Sequence, residues 1–324
     1  MIAGIVWLLA SLPAAGFQVA RLRSLGLKRL LAWTAAILAV AIADMAAAGY
    51  PATVRMLAII GVLLYGMKSV VYIEWTSRTG RYLSWRRWIA FHLWFGMRPE
   101  AFARRAAAPY GDAVGYIRSG AWRFAAGLVL TVLAAQPWIP LPAEPGAARS
   151  LGSIMAVLPL LAGLSLMLHF GLFTIVAGLW RLAGFDCRRQ FRNPLLSRSL
   201  GEFWSRRWNL AFSDMTAIGA YRPLSLVWGR TAARFAAFAF SGILHELAIS
   251  LPVRQGFGGP AVYFLLHGAA VSFESLLERS GKPLSAVPGL GRAWTLTWLI
   301  LPLPLLFHPA FLQEIVLPLV ARFK

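Results

Sequence analysis

What this 324-residue chain lacks narrows its chemistry before any motif is read. Its single cysteine, Cys187, excludes an internal disulfide and a thiolate metal cluster, and no role is assigned to it. There is no HExxH, no cysteine pair and no carboxylate cluster, so no metal site is expected. The GxSxG serine elbow is missing, and so are the Walker loop and the GxGxxG turn; a serine-hydrolase mechanism and nucleotide chemistry have no foothold. No repeat of fixed period, no matching halves with broken helices and no low-complexity linker is visible, so residues 1 to 324 read as one domain. Acidic residues are scarce, 12 against 32 Lys and Arg, which leaves a formal net charge of +20. Asparagine occurs only as Asn193 and Asn209, both within RNPLLSRSLGEFWSRRWN, residues 192 to 209.

What is there instead is hydrocarbon. The chain is 59% hydrophobic, its mean hydropathy is +0.64, and the apolar residues fall in long runs. This is an all-α, polytopic transmembrane bundle in contact with the lipid bilayer. Spans of on the order of 20 residues are expected near 2 to 20, 30 to 48, 56 to 76, 124 to 141, 152 to 180, 224 to 251, 259 to 277 and 293 to 320. The last is long enough to be broken at Pro302, Pro304 or Pro309, so the total is 8 to 9. Residues 2 to 20 lack a basic n-region and read as a first span, not a cleaved signal.

On a soluble chain a charge of +20 would suggest nucleic acid. Here the charge sits in alternate loops, so no nucleic-acid partner is expected. Arg21, Arg23, Lys28 and Arg29 follow the first span, and nine arginines from Arg78 to Arg123 follow the third. Segments 181 to 222 and 279 to 292 are again basic, whereas Arg55, Arg149 beside Glu144, and Arg254 mark sparse loops. The alternation predicts an integral multi-pass protein of a bacterial-type inner membrane or an endomembrane, with its N-terminus outside. The stretch 138 to 148 reads as an external turn. Residues 81 to 107 mix Trp, Phe and Tyr with Arg and read as an interfacial amphipathic helix, in which His92 is an interfacial side chain.

Polar chemistry gathers between residues 192 and 252. At roughly 100° per residue, Arg230, Arg234, Ser241 and His245 share an arc of roughly 60° on helix 224 to 251. Charged groups in a lipid-embedded helix are costly, so they face a bundle interior, line an aqueous cavity or snorkel to the headgroups. His245 has Ser241 one turn below it and Glu246 beside it, and only an imidazole on this helix takes a proton near neutral pH. His267 lies in helical line with Glu274 and Glu278 and is more readily a hydrogen-bonded core histidine; His169 and His308 read as structural.

Residues 188 to 209 interleave Arg188, Arg189, Arg192, Arg198, Arg206 and Arg207 with Phe191, Phe203, Trp204 and Trp208. Guanidinium forks suit phosphate and rings hold a segment at the interface, although a basic loop with an aromatic belt has the same composition. Asn209 could offer an amide N–H to an oxygen that becomes negative during reaction.

Asn193-Pro194, Ser199, EFWSRRWN from Glu202 to Asn209, and SGILHE from Ser241 to Glu246 together resemble the wax synthase branch of the membrane-bound O-acyltransferase family. The resemblance covers about residues 170 to 275, the motif-bearing core, and departs at Ser205, where glycine is expected. It implies transfer of a fatty acyl group from acyl-CoA, as substrate and with no cofactor, to a lipophilic alcohol. It also implies His245 as the catalytic base and Asn209 as its partner. Glu246 and Ser241 are then candidates for an oxyanion or orienting role, and Arg206, Arg207, Trp204, Trp208, Arg230 and Arg234 for acyl-CoA binding. A sterol, a diacylglycerol or a secondary-metabolite hydroxyl is an alternative acceptor. From another class, a transporter could use the same intramembrane groups with Asp44 and Lys68. Oligomeric state is not legible in the sequence.

Overall fold

The computed structural model describes residues 2–136 and 151–320; the turn expected at 138 to 148, with Glu144 and Arg149, lies outside the described residues. Every regular element among the described residues is helical. Six of these helical stretches are long and apolar enough to cross a membrane: Leu25–Ala46, Ala52–Thr79, Ala113–Ala134, Val157–Leu182, Leu210–Val253 and Gly259–Arg279. Leu290–Leu306 and Pro309–Leu319, bent by 77°, count as a seventh when taken together. The expected first span is a shorter apolar helix, Ala3–Val19, and the expected last one breaks ahead of Pro309, whose ring cannot continue the preceding helix.

The chain forms two compact units. The first comprises residues 1–110 and 180–187. It contains α1 (Ile2–Val19), α2 (Leu25–Ala46), α3 (Ala52–Thr79), α4 (Trp85–His92) and α5 (Glu100–Ala103). Ser24 starts α2 by accepting the Leu27 N–H on its hydroxyl. The charges that sequence reading offered to a transport path are satisfied inside this unit. Arg55 Nε donates to Asp44 at 2.5 Å, and the fully buried Lys68 ammonium donates to the carbonyls of Phe91 and Gly96 at 2.8 and 2.7 Å. The stretch read as one interfacial helix is two short ones, and Trp88, Phe91 and Phe102 are completely covered by protein. Their packing partners come from long-range contacts: the Trp88 indole donates to the Pro13 carbonyl at 2.8 Å. His92 is buried with them; desolvation, reinforced by the Lys68 charge, pushes it down to about 3, so it stays neutral at physiological pH. Cys187 is buried too, and burial raises its thiol well above the ordinary range, which makes it inert.

The second unit, residues 111–179 and 188–324, contains α6 (Ala113–Ala134), α7 (Leu151–Ser165) and most of α8 (Phe173–Leu182). Then follow α9 (Leu200–Glu202), α10 (Leu210–Thr216), α11 (Arg222–His245), α12 (Leu251–Val253) and α13 (Gly259–Arg279). The last elements are α14 (Leu290–Ile300), α15 (Leu303–Leu306), α16 (Pro309–Phe311) and α17 (Leu317–Val320). Five π-helical stretches interrupt these helices, among them Phe203–Arg207, Ala217–Tyr221 and Glu246–Ser250 around the motif residues. Each frees backbone from the i to i−4 pattern, a feature enriched at functional sites. Helix α11 is itself broken at Gly229, where φ 76° and ψ 170° are open to glycine and strained for other residues. Helices α11 and α13 pack so closely that a Cβ at Gly242 would stand 2.9 Å from the Ala261 Cα.

Candidate active site

The basic and aromatic motif folds into a clasp. The Arg192 N–H donates to the Arg207 carbonyl at 2.8 Å, and the Leu210 N–H to the Gln190 carbonyl at 2.9 Å, which closes residues 190–210 on themselves. Both asparagines serve this turn. Asn193 has φ 47° and Asn209 φ 42°, left-handed conformations that asparagine tolerates better than most side chains. Asn209 also caps α10, its Oδ1 accepting the Phe212 N–H at 3.2 Å. The S-x-x-E spacing of Ser199 and Glu202 starts α9, where the Ser199 hydroxyl accepts the Glu202 N–H at 2.9 Å.

Arg207 is consumed within the clasp. It pairs with Glu202 at 2.7 Å and reaches the carbonyls of Arg192 and Asn193. Burial alone would raise the Glu202 carboxyl, but the Arg198 N–H and the Arg207 guanidinium outweigh it and hold the group below its ordinary 4.5. A depressed acid stabilises the fold above its unfolded value and loses that contribution as pH falls through the folded one. Melting followed by tryptophan fluorescence should therefore show the wild type weakening below about pH 4.5, while Glu202→Gln is already weaker at pH 7 and responds less to acid. Identical pH profiles for the two proteins would dismiss this role.

Ser205, where glycine was expected, sits in π-helical backbone and donates its hydroxyl to the Gly201 carbonyl at 2.6 Å, so this position places no demand for glycine. Trp208 joins an aromatic cluster with Phe191, Phe203 and His169, at ring separations of 4.9, 5.5 and 5.9 Å. Arg206 is exposed and makes no hydrogen bond among the described residues.

Below the clasp lies a cavity of about 220 Å³. Trp204, Phe212, Phe238 and Phe264 supply its apolar wall and Arg234 its charge. The hydroxyls of Ser213, Thr216 and Ser241 also face it, but each already donates to a backbone carbonyl, of Trp204, Phe212 and Ala237 respectively. They therefore present lone pairs to an occupant and leave the surface mostly apolar. Leu200, Ala270 and Val271 form the buried core behind Trp204 and Phe238.

His245 packs against two wall residues, its ring 4.2 Å from that of Phe264 and 5.1 Å from that of Phe212. Its Nδ1 lies 2.7 Å from the Ser241 carbonyl oxygen. A carbonyl only accepts, so Nδ1 carries the proton and the Nε2 lone pair is left as a base. Nε2 makes no hydrogen bond among the described residues.

The stripe expected on α11 is thus present in part. Arg230, Arg234, Ser241 and His245 all lie beyond the break; Arg234 and Ser241 are in the cavity wall, whereas Arg230, directly after Gly229, is exposed. No hydrogen bond joins Asn209 to His245 among the described residues. The link between them is Phe212, which Asn209 caps and His245 packs against.

Two carboxylates have tasks that spacing did not reveal. Glu246 turns away from His245, and its Oε1 accepts the N–H groups of Gly258 and Ala261 at 2.9 and 3.0 Å, capping the start of α13. Glu274, near the other end of α13, accepts the N–H groups of Leu200 and Gly201 at 2.6 and 2.8 Å, capping α9. His267 is fully buried and donates from Nε2 to the Trp298 carbonyl at 2.8 Å, as a core histidine should. Among the described residues, no group of three or more His, Cys, Asp or Glu side chains could hold a metal ion.

Asparagine at 209 can be tested as geometry. Asn209→Gly keeps the left-handed turn and is expected to cost a few tenths of a kcal/mol, whereas Asn209→Ala loses both cap and turn preference and costs about 2 kcal/mol. Melting in detergent reads the difference. Should the glycine variant also keep its turnover, the side chain acts by placing Phe212; lost turnover with an intact melt would put the amide in the chemistry.

Residues 187–266, which contain most of this site, match the family described as Membrane bound O-acyl transferase family. The chain is 34% identical over 110 residues to the Long-chain-alcohol O-fatty-acyltransferase of Simmondsia chinensis, a match covering 31% of each chain. It is 34% identical over 112 residues to the Probable long-chain-alcohol O-fatty-acyltransferase 6 of Arabidopsis thaliana, covering 32% of each. Against the Probable long-chain-alcohol O-fatty-acyltransferase 9 of the same plant it is 30% identical over 143 residues, 40% of this chain and 42% of the relative. The chain thus spans about a third of the length of the first curated relatives it matches. The segment that lines most of the cavity and carries His245 is thus similar to the membrane bound O-acyl transferase family and to relatives named as long-chain-alcohol O-fatty-acyltransferases.

Proposed function

We propose that this protein is a membrane O-acyltransferase that moves a fatty acyl group from acyl-CoA to a long-chain alcohol. The observation that carries the reading is His245: one ring nitrogen is committed to the Ser241 carbonyl, the other is a free base, and the ring packs against the wall of an apolar cavity. The thioester end of the acyl chain and the hydroxyl end of the alcohol meet in the apolar cavity, whose aromatic lining exchanges water for hydrocarbon. His245 Nε2 takes the proton of the alcohol hydroxyl as its oxygen attacks the thioester carbonyl. The tetrahedral intermediate collapses, the ester forms, and CoA leaves as the thiol with the proton returned from the imidazolium.

Arg234 lies 11 residues before His245 on unbroken helix, a rise of about 16 Å. A phosphate at that depth leaves the pantetheine arm to reach inward, and exposed Arg206 and Arg230 extend the positive surface at the mouth. Counting the short helix α1 and the bent pair with the six long helices, the chain crosses the bilayer eight times, with the basic loops on the cytoplasmic side. The deciding experiment gives detergent-purified protein a long-chain acyl-CoA and a panel of alcohols, and follows free thiol and ester together. Alcohol-dependent thiol release with matching ester supports the reading; folded protein that releases none with any alcohol refutes it.

A further inference from the structure

One cationic cluster in the second unit has no task in the proposed transfer. Tyr116, Ser119 and Arg123 stand on successive turns of α6, and Arg189 approaches them from the segment that opens the clasp. The Arg189 guanidinium carbon lies 4.4 Å above the Tyr116 ring, a cation–π contact that fixes the plane of the fork. Arg123 donates to the Ser119 hydroxyl and is close enough to Arg189 for the two charges to repel. Neither guanidinium enters an ion pair among the described residues, although other arginines of the chain do. The Nε of Arg189 is buried without any partner. Two half-buried like charges, one with an orphaned donor, are unfavourable unless an anion sits between them.

We propose that Arg123, Arg189 and the Ser119 hydroxyl form a binding site for a phosphate group. Phosphate oxygens accept from both forks, and the serine oxygen is held beside them by Arg123. The phosphate can belong to an anionic lipid headgroup, since α6 is a candidate membrane span, or to CoA. The site does not depend on the proposed acyl transfer.

The test compares wild type with Arg189→Gln and with the Arg123→Gln/Arg189→Gln double variant, using two probes. Native mass spectrometry in detergent micelles titrates phosphatidylglycerol, with phosphatidylcholine as the uncharged control. Isothermal titration reads the affinity for CoA. The double variant is expected to lose about tenfold in one of them, the effect of one or two charge-assisted hydrogen bonds. A loss confined to phosphatidylglycerol assigns the headgroup, a loss confined to CoA assigns the soluble phosphate, and a loss in both assigns one site open to either. Unchanged affinity for both probes overturns the proposal. Arg189 lies outside the spanning helix, so the single variant decides the matter if the double one does not fold. Arg189→Lys, which keeps charge but not the fork, should recover part of the loss; no recovery together with a lowered melting point would mean a packing role and also overturn it.

Discussion

His245→Ala is expected to reduce alcohol-dependent thiol release by about 10²- to 10⁴-fold, the range that a positioned general base contributes. The loss should fall on kcat, because on the proposed mechanism the ring acts on the hydroxyl proton, whereas the apolar cavity wall it packs against stays in place. Melting should change much less than activity: the ring is half-buried, and its one hydrogen bond goes to a carbonyl on its own helix. His245→Gln is the sharper comparison, since an amide nitrogen can still reach the Ser241 carbonyl but cannot take a proton. Both variants should therefore be inactive, with the glutamine form the closer to wild type in stability. Full activity in the glutamine variant would refute the base assignment.

Glu274→Ala should be the most damaging change to stability near the site, at about 3 kcal/mol. Its carboxylate accepts two backbone N–H groups at short distance, each bond to a charged acceptor contributes about 1.5 kcal/mol or more, and the side chain is buried. Without it, Leu200 and Gly201 keep their N–H groups in a buried setting with no partner, and α9 loses the cap that fixes its first turn. Gly201 and Trp204 line the cavity, so activity should fall with stability. Glu274→Gln retains one acceptor oxygen and should recover about half of the loss. A chemical or thermal melt of the alanine variant within about 0.5 kcal/mol of wild type would sink this account.

The sequence made the bundle legible because hydrocarbon runs are long and charges within them few. It also placed His245, since an imidazole in an apolar helix next to a serine turn stands out. The two asparagines were conspicuous for a reason that composition cannot express: both occupy left-handed backbone, and at Asn209 that shape, with the cap it makes, positions Phe212. Arg207 looked like a phosphate ligand, and the fold commits it to Glu202 and two carbonyls. Trp208, a candidate for acyl-CoA binding by its place in the motif, packs in an aromatic cluster. The cavity lining was harder to see: Phe212, Thr216, Tyr221 and Phe264 went unmarked because apolar and hydroxyl residues at helical spacing read as ordinary core. The S-x-x-E spacing at Ser199 was a signal in plain view. Helix periodicity could not foresee the break at Gly229, which leaves Arg230 at the very start of the helical run that bears Arg234 and His245.

Helix α13 is gripped at one end by Glu246, the residue after His245, and near its other end uses Glu274 to grip the start of the motif that supplies Trp204. It therefore works as a gauge between the segment that carries His245 and the one that carries Trp204. From Ala261 to Glu274 there are 13 residue steps, about 20 Å of helix. Adding or removing one residue between them would offset the two grips by about 1.5 Å and about 100°, so that only one could engage at a time. Side chains along α13 can be exchanged and the cavity reshaped, but the number of residues in that interval is fixed by the distance between the two grips.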